Sequence, residues 1–373
     1  MFLSCYYKCS SEKEFDIALA DLLRYASDMK NVVRLVFFGS PTDTEKFKKQ
    51  RSSIALMLKR EFQHSIPAYT YLAQPLLDGG TLGVEIQVAE NCDDVVWEYP
   101  TYDVFSCVKL SIGNERMLFI SGIFQSDLSL SVRQQSEMVM EKISCILLRE
   151  GFTISDIVRQ WNYIEHITGE EVSGRQRYQE FNDVRSRTYG DSFIDYGYPA
   201  ATGIGTQLGG IQIELDAFSG SKMYSHRVDN PIQRAAYEYS SKVLVGSKGK
   251  TTPKFERARS VSFHSDGWIY ISGTAAIRGE MTIETDAGKQ AELTLDNIRI
   301  LLSDATLKEY NIQGHAELKS LRVYVKRSND IRLVKQYIES SYPSIKVIYV
   351  NADICRDNLL VEMEGYAIIR SYN

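Results

Sequence analysis

The chain has no paired-cysteine pattern, no long apolar run and no basic block, and each absence removes a class of protein. Its six cysteines, at 5, 9, 92, 107, 145 and 355, include no C-x-x-C pair, so neither a disulfide framework nor a zinc ribbon is spaced into the sequence. Cys5 and Cys9 stand close together without a histidine or a second cysteine pair beside them. No stretch approaches the roughly eighteen apolar residues of a membrane-spanning helix. The opening MFLSCYYKCSSE lacks the charged start and apolar centre of a secretion signal. Lysine and arginine total 43 against 48 acidic residues, a net charge of −5, and form only short clusters such as Lys46-Phe47-Lys48-Lys49. That balance argues against a nucleic-acid partner. The expectation is a soluble, reduced, cytoplasmic protein with no membrane segment.

What is present is an ordinary globular composition, 44% hydrophobic and 24% charged over 373 residues, enough for two or three domains. The sequence also repeats itself. Residues 117–123, MLFISGI, and 268–274, WIYISGT, are β-branched and aromatic runs closing on Ser-Gly. Each leads through a polar stretch into a helix-period segment, over 131–149 and 287–303. A strand follows each (157–163; 321–326), then a second helix (174–187; 329–340), then an extended pair (199–217; 345–370). The closing strands, GGIQIELDA and LLVEMEGYA, correspond. Half of the pattern occurs once more upstream, with a strand at 32–37, a helix at 43–62 and an extended pair at 68–88.

The expected organisation is therefore an N-terminal half unit over 1–115, a first full unit over 116–218, a connecting segment over 219–265 and a C-terminal unit over 266–373. The fold class is α+β, with mixed sheets carrying helices on one side. Three such sheets close most economically into a barrel-like arrangement around a pseudo-threefold axis. In the connecting segment GSKGKTTPKF reads as a solvated loop. GIGTQLGG, 203–210, is no dinucleotide fingerprint, because strand-period residues follow it.

The last strand raises a chemical question. NADICRDNLLVEMEGYA, 351–367, places Cys355 seven residues before Glu362 in an apolar run. Read by themselves, Glu362 and Glu364 are the wet face of a strand and Cys355 a small core residue. The repeated unit resembles the reactive-intermediate deaminase (Rid) superfamily, a chorismate mutase-like fold whose small-molecule clefts lie between trimer subunits. Val347, however, stands where the deaminases place an anion-binding arginine. A narrower resemblance runs through WNYI (161–164), GRQRYQEFNDVR (174–185), PAATGIG (199–205), DNPIQRAAYEY (229–239), TPKFERA (252–258), YISGTAAIRGE (270–280) and ADICRDNLLVEMEG (352–365). In that order these segments resemble the chorismatases, also labelled pteridine-dependent dioxygenase-like.

The resemblance implies an enzyme that removes the enolpyruvyl side chain of chorismate as pyruvate. It puts a general acid in the last hairpin, at Glu362, and makes Cys355 the residue that steers the product. Cysteine there goes with a hydroxybenzoate, the 3-isomer being favoured, and small inert residues with a dihydroxycyclohexadiene carboxylate. It implies no cofactor and no metal. The partner is a small molecule, chorismate or a related dicarboxylate; monomer and homo-oligomer both remain open. The chain departs from the pattern at Gly279-Glu280, where the family continues Gly-His, and at Asp286-Ala287-Gly288, where a Gly-Asp pair is common.

Cleaving an enol ether begins by protonating its methylene carbon, which produces an oxocarbenium ion open to an oxygen nucleophile. A carboxyl that does this near neutral pH needs burial, and Leu359, Leu360, Val361 and Met363 are the apolar sequence neighbours of Glu362. Two substrate carboxylates call for arginine forks, for which Arg177, Arg185 and Arg257 are the candidates, with Tyr178 as a hydroxyl donor. Gly273, Thr274 and Ala275 are expected to line the cleft, where glycine lets backbone N–H groups approach a ligand. Trp161 reads as packing. Two other readings stand beside this one: a Rid-like dicarboxylate-binding protein that lost the chemistry, which Glu280 favours, and a deaminase-like hydrolase, which Val347 disfavours.

Overall fold

The computed structural model describes residues 1–102, 104–220, 224–244, 250–263 and 266–370. Residues 246–249 of the expected GSKGKTTPKF loop lie outside the described residues. One succession of elements runs three times. The first is β1 (Phe2–Ser10), α1 (Phe15–Ser27), β2 (Val32–Gly39), α2 (Thr44–Phe62), β3 (Ala68–Ala73) and β4 (Leu82–Glu90). Strands β5 (Val96–Glu98), β6 (Thr101–Tyr102) and β7 (Phe105–Ile112) lead into the second: β8 (Glu115–Phe124), α3 (Val132–Glu150), β9 (Ile157–Glu165), α4 (Arg177–Tyr189), β10 (Ala200–Thr206) and β11 (Ile211–Ser219). Strands β12 (Tyr224–Val228) and β13 (Ala258–Phe263) lead into the third, which starts with β14 (Asp266–Ala275) and the small ladder β15 (Ile277–Arg278) and β16 (Met281–Thr282). It continues with α5 (Ala287–Leu301), α6 (Asp304–Glu309), β17 (His315–Val325), α7 (Ile331–Ser341), β18 (Lys346–Asn351) and β19 (Val361–Arg370).

The strand order is the same in all three: β1-β4-β2-β3, β8-β11-β9-β10 and β14-β19-β17-β18. This corrects two expectations. The N-terminal third is no half unit, since β1 and α1 complete it. The extended pairs are no hairpins either. In each unit a helix crosses over between two parallel strands, β2/β3, β9/β10 and β17/β18. The returning strand then pairs antiparallel on the other side of the first. A parallel pair needs such a crossover, and the free edge left behind takes the strand that comes back.

Each sheet buries its two faces differently. One face meets its own helices: Leu35 and Phe37 against Leu22 and Phe47, Ile213 and Leu215 against Ile143 and Phe181, Val323 and Met363 against Leu295 and Val334. The other faces of all three sheets meet in one central core that includes Phe38, Phe119, Trp161, Trp268, Tyr270 and Tyr324. Full burial of side chains of this size contributes roughly 1.5–3 kcal/mol each. Helix ends are capped by short polar side chains, as Asp43 caps α2, Ser131 caps α3 and Asp286 caps α5. The departure at Asp286 thus serves a helix start. No helix among the described residues is long and apolar enough to cross a membrane.

Charged residues also run through the central core at corresponding places. Arg34 on β2, Arg159 on β9 and Arg322 on β17 stand opposite Gln87, Asp216 and Glu364. Two residues earlier on those last strands are Glu85, Glu214 and Glu362. Each arginine reaches into the next unit. Arg322 donates from Nε and Nη2 to Glu85 at 3.1 and 2.9 Å. Arg34 reaches Asp216 at 2.5 Å and lies 3.8 Å from Glu214. Arg159 pairs with Glu364 through Nη2. All are buried, and the ion pairs offset the cost of burying the arginines and the carboxylates they reach.

Candidate active site

Where the second unit meets the third, a cleft of ≈ 630 Å³, its open mouth included, lies between the sheets. Its floor is Glu362 of β19 with Gly273 and Ala275 of β14. One wall is Thr202 and Gly203 of β10 with Tyr178 of α4. The roof is the chain between β12 and β13, which contributes Tyr239, Leu244, Phe255 and Arg257. Cys355, Arg356 and Leu359, just ahead of β19, complete it.

Strand alternation decides what the acid sees. Glu362 and Glu364 share one face of β19, whereas Val361 and Met363 pack toward the helices, as does Leu360. Only Leu359 among the apolar sequence neighbours lines the cleft, so the dry surroundings of Glu362 come from β14, α4 and the roof. The carboxyl is 5% exposed. Among the described residues no hydrogen bond or ion pair reaches it. Burial, and after it the charge of Glu364, pushes its pKa up to about 8, against the pull of Arg159, Arg257 and Arg356. Gly273 is required here, because a Cβ at that position would collide with the Glu362 carboxylate. Gly203 plays the same part for Tyr178, whose ring lies 2.7 Å from where a Cβ would be.

Behind the acid, Thr202 Oγ1 ties the floor together. It accepts from Arg159 Nη2 at 2.6 Å and from Gly273 N at 3.0 Å, and it contacts Glu364. Arg257 holds its place by donating from Nη2 to Tyr239 Oη and the Arg234 carbonyl, each at 2.6 Å, and its Nε has no partner among the described residues. Arg356 donates to the Glu280 carbonyl at 2.9 Å. The two guanidinium groups lie 5.4 and 5.1 Å from the Tyr239 ring. Burial, with the charge of Glu362, pushes the Cys355 thiol up to about 12, so it stays protonated at neutral pH. Burial likewise raises the Tyr178 hydroxyl, which remains a neutral donor.

The structure therefore brings Glu362, Cys355, Tyr178, Arg257, Gly273 and Ala275 to one place and leaves three expected residues out of the lining. Thr274 points to the opposite face of β14, its hydroxyl donating to the Ser272 carbonyl. Arg177, at the start of α4, donates to the Glu165 carbonyl and pairs with Glu171. Arg185 is buried within α4's own surroundings, donating to Asn182 at 2.8 Å. The strand period turns Thr274 away and the helix period Arg177, whereas Arg185 shares the Tyr178 face of α4 but sits two turns further along it. Arg356 is the arginine the sequence reading missed; its signal was adjacency to Cys355. Glu280 does not line the cleft either. Its carboxylate accepts from the Ser240 amide and hydroxyl at 2.7 and 2.5 Å, fastening the roof to the β15–β16 ladder. No group of three or more potential metal ligands is assembled among the described residues.

Residues 106–217 match the family model described as chorismatase FkbO/Hyg5-like, N-terminal. A 3-hydroxybenzoate synthase from Streptomyces hygroscopicus is 34% identical over 229 residues, 58% of this chain and 65% of the relative. A chorismatase from the same organism is 32% identical over 215 residues, 56% of this chain and 60% of the relative. The matched region thus spans less than two thirds of either curated relative. Among solved structures, a chorismatase crystal structure superposes with a TM-score of 0.71 at 19% identity, covering 98% of both chains, which gives the two the same fold.

Proposed function

We propose, for a chain that matches the chorismatase FkbO/Hyg5-like family model over residues 106–217 and shares the chorismatase fold over its length, that it cleaves chorismate to pyruvate and a hydroxybenzoate. The observation that carries the reading is Glu362, an unpaired buried carboxyl with its pKa near 8, on the floor of a cleft that Arg257 and Arg356 also line. Such a carboxyl keeps its proton at neutral pH. Glu362 gives that proton to the methylene carbon of the enolpyruvyl group, and positioned acid catalysis of this kind contributes about 10²–10⁴-fold. Arg257 and Arg356 hold the substrate carboxylates, as guanidinium forks do, and Tyr178 adds a neutral hydroxyl donor.

Cys355 acts on the fate of the ring. Chorismate divides into pyruvate and hydroxybenzoate with no atom left over, so that route consumes no net water, whereas the dihydroxycyclohexadiene product takes up one. A thiol that stays neutral occupies the space where a small residue would admit water, and so favours the aromatic product. The similarity to a 3-hydroxybenzoate synthase supports the 3-isomer.

The test is incubation with chorismate, with pyruvate read by coupling to lactate dehydrogenase and the ring product identified by chromatography. Pyruvate and 3-hydroxybenzoate in equal amounts are expected. A cleft that binds a dicarboxylate yet releases no pyruvate above background would return the protein to the binding-protein reading. Cys355→Ala is expected to shift product toward the diene diol; an unchanged product ratio removes the cysteine from that role.

A further inference from the structure

The three corresponding buried pairs, Glu85/Gln87, Glu214/Asp216 and Glu362/Glu364, act as an internal control on one another. We infer that Glu364 keeps Glu362 free by capturing Arg159, which makes Glu364 a positioning residue for the acid; the inference rests on the reading of Glu362 as the proton donor.

In the first unit the second position of the pair is Gln87, which is neutral. The arginine arriving from the neighbouring unit, Arg322, there finds one carboxylate and grips Glu85 with two nitrogens. In the second unit that position is Asp216. Arg34 goes to it at 2.5 Å, leaving Glu214 at 3.8 Å. In the third unit it is Glu364. Arg159 goes to one of its oxygens beside Thr202, while Tyr324 Oη and Arg322 Nη1 hold the other at 2.7 and 3.1 Å. Among the described residues Glu362 receives nothing. Where the second position carries charge, the arriving arginine makes its closest bond there rather than to the first, loosely in the second unit and wholly in the third.

Arg159 keeps an Nη1 with no hydrogen-bond partner among the described residues, and Glu362 is the next side chain along the same face of β19. A guanidinium released from Glu364 would have Glu362 to pair with, as Arg322 pairs with Glu85. An ion-paired carboxylate does not donate a proton near neutral pH. The charged and titratable groups around Glu362 are Glu364 on its own strand, Arg159 on β9, Arg257 ahead of β13, Arg356 and Cys355 ahead of β19, and Tyr178 on α4. Of these, Glu364 is the one that both carries negative charge and holds an arginine.

The experiment is the pH profile of kcat/KM for chorismate in Glu364→Gln, Glu364→Asp and the double variant Glu364→Gln/Arg159→Gln. The alkaline limb, which reports loss of the Glu362 proton, is expected to fall by about one pH unit or more in Glu364→Gln. It should stay near the wild-type position in Glu364→Asp, and rise again in the double variant. A limb that does not move, or a lowered limb that Arg159→Gln fails to raise, overturns the inference. The infrared carbonyl band of protonated Glu362, assigned by its loss in Glu362→Gln, is titrated in the same proteins and requires no turnover. Should chorismate not be the substrate, the band midpoint still decides. Should Glu364→Gln not fold, Thr202→Val removes the hydroxyl bridging Arg159 to Glu364 and is expected to lower the midpoint by a smaller step. An unmoved midpoint there also overturns the inference.

Discussion

Glu214 and Glu362 hold the same place in two copies of one unit; Glu362 lines the cleft, and Glu214 lies buried beside Arg34. The strands that carry them read alike, IELDA and VEMEG, and the strands beside them both bulge at a Ser-Gly pair. The bulges differ in register. Ser121-Gly122 falls across from Glu214, whereas Ser272-Gly273 falls across from Glu364, so Glu362 pairs with Ala275 instead. At the first seam Ser121 accepts from Arg34 at 2.6 Å, and the backbone at Gly122 abuts the Tyr69 carbonyl closely enough to leave no room for a Cβ. At the second, Gly273 leaves its space to the Glu362 carboxylate. The lesson is that a bulge, which re-aims side chains locally, separates a structural acid from a candidate catalytic one within a single repeat.

The sharpest way to break this comparison is to remove each carboxylate in turn. Glu362→Gln is expected to lower chorismate turnover by about 10²–10⁴-fold, while Glu214→Gln leaves it within about threefold, both read in the pyruvate assay. The same variant gives a stability test with a defined sign. In the folded chain Glu362 releases its proton near pH 8, against an ordinary value of 4.5. Between those values the folded state binds a proton that the unfolded chain has lost, so this group's contribution to stability falls as pH rises. The slope is at most about 1.4 kcal/mol per pH unit. Glu362→Gln carries no such penalty. Its thermal midpoint should gain on the wild type from pH 5 to pH 8 and hold steady above; a constant difference across that range would place the carboxyl in water.

A smaller effect is expected from Gly273→Ala, which forces a methyl into the space of the Glu362 carboxylate. Overpacking of this kind costs about 1–3 kcal/mol and should also displace the acid, so turnover falls more than the denaturation midpoint suggests. Gly122→Ala, strained at φ +63° against the Tyr69 carbonyl, should lose stability with turnover per folded molecule unchanged. The mildest contrast lies among the arginines. Arg257→Gln and Arg356→Gln should raise KM by roughly tenfold through lost carboxylate forks, and Arg177→Gln should leave KM near its wild-type value. Equal effects at all three would move the anion site away from the roof.

Much of this was legible in the sequence because period and punctuation carry it. The second and third copies announce themselves through Ser-Gly and the acidic closing strands, and the family resemblance, not the spacing, singles out Glu362 and Cys355. The first copy was cut short because β1, FLSCYYKCS, alternates with serine, lysine and cysteine and has no Ser-Gly to match. Its helix FDIALADLLRYAS shows an apolar stripe at Ala18, Leu19, Leu22, Leu23 and Ala26 that was there to be found. Which arginines reach the cleft was not legible. Arg177 and Tyr178 are neighbours in sequence, but the helix turns them about 100° apart, and nothing local says which face is walled in. The arginine exchange between units also depends on how the sheets rotate against one another, which no single stretch of sequence encodes.

The concatenation of three units on one backbone has a consequence for how such a protein changes. A ring of identical subunits inherits every substitution in triplicate, so each of its chambers must tolerate whatever benefits another. Here glutamine, aspartate and glutamate occupy the same place at positions 87, 216 and 364, one to each copy. A designer can accordingly remodel the seam beside Tyr69 while the candidate site at Glu362 keeps its own residues.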